Sequence, residues 1–135
     1  GTNTQAASLD FDADTDESFQ GNFQLPPDWT GTVDFSLVWH AAATTDDVVW
    51  GLQTTCVDDA ETGDPAFNTA QTVTDTAKGT TLQFNDAAIS AVTMTGCTAD
   101  DIFFFKVYRD ANNAADDMTG DASLRSVRFK LRRAQ

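Results

Sequence analysis

Of the 135 residues in this sequence, 21 are carboxylates and one, His40, is a histidine, so acid–base chemistry would have to come from Asp, Glu or that imidazole. A Ser-His-Asp relay would need His40 to meet a serine, and no serine here lies in a nucleophile-elbow sequence. His40 falls on the polar side of an alternating run and reads as a strand-end residue. Paired aspartates can cleave a glycosidic bond when an apolar setting raises the pKa of one of them. None lies in such a setting, and with so many aspartates chance pairs are expected. The expectation is a protein without enzymatic activity.

Metal chemistry has two candidate stretches. Asp10-x-Asp12-x-Asp14 has the alternating carboxylates that open a calcium loop, but the glycine and closing glutamate of that loop are absent, and a strand would splay these side chains in a row. The loop DANNAADDMTGDA offers more oxygen ligands, with Asp110, Asn112, Asp116 and Asp117 as the calcium candidates and a plain polar turn as the competing reading. No other cofactor is expected. Cys56 and Cys97 cannot form a zinc site with one histidine. They either bond to each other or stand as two buried thiols.

Aromatic rings offer a third kind of chemistry, because sugars stack their apolar faces on exposed rings while Asp and Asn bind their hydroxyls. Trp39 and Trp50 sit on apolar faces by periodicity. Trp29 after Pro26 and Pro27, Phe67 in DPAFNT and Tyr108 are the candidate sugar platforms, with simple packing as the alternative for each.

The elements that must position these groups are strands. TVDFSLVWH puts Val33, Phe35, Leu37 and Trp39 on one face, and VVWGLQTTCV repeats the pattern with Val48, Trp50, Leu52 and Cys56, so the two segments read as an antiparallel pair. SLDFDAD, SFQGNFQL, AQTVTDT, TTLQF, AISAVTMTG and SLRSVRFKL are shorter runs of β character between polar turns. In DDIFFFKVYRD, Phe103, Phe105 and Val107 share one side while Ile102, Phe104, Lys106 and Tyr108 share the other. No segment keeps a 3.6 period between caps. The pattern predicts an all-β, antiparallel two-sheet β-sandwich, jelly-roll-like, with eight to nine strands in a single domain over 1–135.

The net charge of −13 creates a field that repels phosphate backbones and anionic lipid, so neither nucleic acid nor membrane is an expected partner. No apolar run approaches the ~20 residues of a spanning helix, and GTNTQAAS lacks the basic and apolar regions of a signal peptide. Charge is uneven along the chain. Asp10, Asp12, Asp14 and Asp16 face Arg128, Lys130 and Arg132 in sign, which predicts that the first and last strands are neighbours whose charges pair.

LPPDWTGTVDFSLVWHAAATTDDVVWGLQ, DPAFNTAQTVTDTAKGTT and DDIFFFKVYRDANNAADDMTGDASLRSVRFKL together resemble a family of small structural proteins of tailed bacteriophages, over about Ser8 to Leu131. The resemblance implies a non-enzymatic virion component, a capsid decoration or tail-fibre protein made in the host cytoplasm. Its expected partners are further copies of itself, other virion proteins and a host-surface glycan. In that setting Ile102, Phe104, Tyr108, Arg128, Lys130 and Arg132 are the expected interface. The runner-up function is a carbohydrate-binding module.

Overall fold

The structure is a computed structural model that describes residues 8–134. Residues 1–7, where a signal peptide was not expected, lie outside the described residues. Among the described residues eight strands run in the order β1 (Leu9–Phe11), β2 (Ser18–Gln24), β3 (Trp29–Ala41), β4 (Asp47–Val57), β5 (Gln71–Thr76), β6 (Asn85–Val92), β7 (Ile102–Arg109) and β8 (Ala122–Arg133). They form two four-stranded antiparallel sheets, β1-β8-β3-β6 and β2-β7-β4-β5, which is the jelly-roll order.

Alternation explains which side chains meet between the sheets. From one sheet Val33, Phe35, Leu37 and Trp39 point inward, and from the other Val48, Trp50, Leu52, Phe103, Phe105 and Val107 meet them, all buried. Phe23, Phe103, Phe105 and Phe129 form an aromatic cluster across the gap, with the Phe105 and Phe129 centroids 4.8 Å apart. Gly21 is required beneath it, since a β-carbon there would stand 2.6 Å from the Phe105 ring.

Two sequence expectations are corrected. β3 and β4 do not pair: β3 lies between β8 and β6, and β4 between β7 and β5. Their apolar faces meet across the core, where the Trp39 and Trp50 rings lie 6.2 Å apart, tilted at 56°. Periodicity identifies a buried face but not the neighbour along the sheet, so side-by-side and face-to-face arrangements read alike. TTLQF is not a strand. Its Leu82 has a φ of 61° and is 60% exposed, and backbone bonds Thr80 N to Lys78 O and Gln83 N to Thr80 O curl the segment into turns.

β1 does pair with β8, but its three residues oppose Phe11 to Ala122 and Leu9 to Leu124. Arg128, Lys130 and Arg132 lie beyond that span, and no ion pair joins them to the N-terminal aspartates among the described residues. Asp12 instead closes a turn. Its carboxylate accepts Asp14 N at 2.9 Å and Thr15 N at 2.7 Å, and these backbone bonds, Thr15 first, hold its pKa below the ordinary value. Cys56 and Cys97 are joined in a disulfide that ties the segment after β6 to the end of β4.

Arg109, the last residue of β7, is fully buried. All of its N–H donors are used. Nε and Nη2 grip Asp116 at 3.0 and 2.7 Å, Nη1 donates to Gly120 O and Phe11 O, and Nη2 donates to Met118 O. Asp116 also accepts Val49 N at 3.0 Å. Removing one partner of such a pair leaves the other buried and uncompensated, so Arg109→Met should cost about 3–5 kcal/mol in urea denaturation, and Arg109→Met with Asp116→Leu should recover part of it. A single-variant loss under about 1 kcal/mol, the value of an exposed pair, would contradict this account.

Trp39 Nε1 donates to Asp75 Oδ2 at 2.7 Å. Burial raises the pKa of Asp75, and the Trp39 bond only partly opposes it. The folded protein therefore holds this proton more tightly than the unfolded chain does. Asp75's contribution to stability is full below the ordinary carboxylate pKa and declines as pH rises through the raised value. Asp75→Asn keeps an oxygen acceptor for Trp39 and has no charge to bury. Denaturation across a pH series should show a flatter dependence in that window and no loss at neutral pH; an unchanged slope would sink this reading.

Candidate functional site

The sequence places Ile102, Phe104, Lys106 and Tyr108 on the side of β7 away from the core, and all four are half-buried there. Strand register supplies their neighbours. One rung runs Ser18, Tyr108, Gly51, Thr72; the next runs Gln20, Lys106, Gln53; then come Asn22, Phe104, Thr55 and finally Gln24, Ile102, Val57. These rungs carry no carboxylate in a chain with 21 of them. They offer amides, hydroxyls, rings and one ammonium.

Tyr108 lies over Gly51. A β-carbon at Gly51 would stand 2.3 Å from Tyr108 Cζ, so the missing side chain is what lets the ring rest on the sheet. Lys106 Nζ sits 5.7 Å from the ring centroid, which is cation–π distance. Asp16 and Asp110 flank the Tyr108 end, where Asp16 accepts Ala111 N at 3.0 Å. Burial first, then these two carboxylates, raise the phenol pKa above its ordinary value. Gln53 and Gln24 each donate to a backbone carbonyl, of Asn68 and Asp100 respectively. The side-chain amides of Gln20 and Asn22 bond to no described residue.

The other expected sites are distributed differently. Trp29 is buried at the start of β3 with its indole N–H unpartnered, so it is no exposed platform. Phe67 is half-buried in the segment alongside β4, where Asn68 N donates to Thr54 O, further along that strand from Gly51. The calcium candidates do not converge. Asp116 is occupied by Arg109, Asp117 accepts Asp47 N at 2.6 Å, Asp110 accepts Asn113 Nδ2, and Asn112 Nδ2 points to Asp16. Among the described residues no group of three His, Cys, Asp or Glu could hold a metal ion.

The expected interface splits. Arg128 pairs with Ser36 and Lys130 with Asp34 on the outer face of the β1-β8-β3-β6 sheet, whereas Ile102, Phe104 and Tyr108 are on the outer face of the opposite sheet, so the six do not form one patch. His40 lies on the Arg128 side, half-buried and stacked on Phe84 at 5.7 Å. Burial and then Arg125 lower its pKa. An apolar cleft of about 260 Å³ opens at the β1 and β2 edges between Leu9, Phe19, Leu124 and Val127.

No family model matches the sequence, and no curated protein matches it. A solved structure of TmCBM61 in complex with beta-1,4-galactotriose is similar, with a TM-score of 0.43 and 17% identity over 94% of this chain and 70% of that one.

Tyr108 is the single tyrosine of the chain, so its ionisation is directly visible in ultraviolet absorbance. Its titration midpoint should lie above the ordinary tyrosine value, and Gly51→Val, which evicts the ring from the sheet, should move it back toward that value. A wild-type midpoint at or below the ordinary value would contradict the geometry.

Proposed function

We propose that the protein is a non-catalytic carbohydrate-binding β-sandwich that holds a glycan across the outer face of the β2-β7-β4-β5 sheet. One observation carries the proposal: Tyr108 rests on Gly51 within strand rungs of amides and hydroxyls that contain no carboxylate. A ring presented this way supports the apolar face of a sugar, while unbonded Gln20 and Asn22 amides donate to and accept from its hydroxyls. An obligate protein interface has a more apolar centre than this amide-lined face.

The resemblance to virion structural proteins supplies a setting within the same proposal. A decoration or tail-fibre protein with such a face would attach the particle to a surface glycan, and its copies and other virion proteins would pack elsewhere on the sandwich.

A glycan array followed by calorimetry on the hits tests the reading. Wild type should bind at least one sugar class, Tyr108→Ala and Gly51→Val should weaken binding by about tenfold or more, which is ~1.4 kcal/mol, and Arg128→Ala on the opposite sheet should leave it unchanged. Absence of any sugar binding by folded wild type, or an equal loss in Arg128→Ala, would overturn it. Dimers or trimers in wild type that dissociate in Tyr108→Ala would make the face a subunit contact instead.

A further inference from the structure

We infer that the glycan carries one carboxylate and that Lys106 receives it; this rests on the carbohydrate reading above and names the ligand class of the same face. Lys106 occupies the rung between Tyr108 and Phe104, with Gln20 on one side and Gln53 on the other. Its ammonium has no carboxylate partner among the described residues, although the chain has 21 acidic side chains against 8 basic ones. A cation within rungs that carry no other charge, in so acidic a protein, is a local inversion of the field. It draws an anionic group on a ligand toward this rung, because a charge-assisted hydrogen bond is about twice as strong as a neutral one.

The surroundings set the orientation. Asp16 and Asp110 lie at the Tyr108 end, close enough to raise the phenol pKa, and they disfavour an anion there. A neutral ring therefore stacks on Tyr108, and the neighbouring unit places its carboxylate over Lys106, two residues and about 7 Å along the strand. The flanking Gln20 and Gln53 offer amides beside the ammonium. A polyanion gains little from this arrangement, since each further charge meets the acidic surface beyond the rungs and the net charge of −13.

The test uses uronate-terminated and sialate-terminated oligosaccharides, each paired with its own methyl ester, so that members of a pair differ in the carboxylate charge. Wild type should bind the acid at least tenfold more tightly than the ester for one pair. Lys106→Met should make the two equal, and Lys106→Arg should keep the preference. Tyr108→Ala should weaken acid and ester together. Equal binding of acid and ester by wild type, or a preference that survives in Lys106→Met, overturns this inference and leaves the carbohydrate reading standing. No binding of any acid, ester or neutral sugar by the folded protein overturns the reading and the inference with it.

Discussion

Arg109 is the point at which the two sheets and the loop between β7 and β8 are held in one arrangement. Its guanidinium reaches Asp116, Gly120 and Met118 in the segment between β7 and β8, and Phe11 at the end of β1. Asp116 passes the constraint to Val49, and Asp110 N donates to Val49 O beside it. β7 and β4 are thereby locked in register at the end where Tyr108 meets Gly51. A slip of one residue would turn every side chain of β7 to the opposite face. The outer face thus depends on a charge pair buried beneath it.

Much of this was legible in the residues. Alternation in β7 and β3 separated core from surface correctly, because burial on one side of a pleated strand follows period two whatever the strand's neighbours are. The same alternation, carried one step past Val107, puts Arg109 among the core positions, with an aspartate-rich loop just after it. An arginine at an inward position followed by acidic residues was the available sign of the buried pair, and the oxygen-rich composition of that loop pointed to calcium instead. What stayed illegible was lateral: which strand lies beside which. Gln20, Gln53 and Gly51 acquire their meaning only from the partners opposite them, and those partners are far away in the chain, as with Gln20 and Lys106.

Charge is partitioned by face. The four rungs from Tyr108 to Ile102 carry no carboxylate and Asp47 lies at the far end of β4, the outer side of β8 bears Arg128 and Lys130, and most acidic residues lie in the turns and loops between strands. Aspartate suits such turns because its side chain bonds to nearby backbone N–H groups, as Asp12 does with Asp14 and Thr15. The acidity of the chain is therefore partly a consequence of having many turns to close. It leaves the sheet faces free to differ from one another.

The first and last strands, β1 and β8, both belong to the sheet that looks away from Tyr108. The first and last described strands are thus both attached behind the candidate surface rather than on it. A tether drawn on either of these strands pulls on the rear sheet, so load reaches the Tyr108 side only through the core between the sheets.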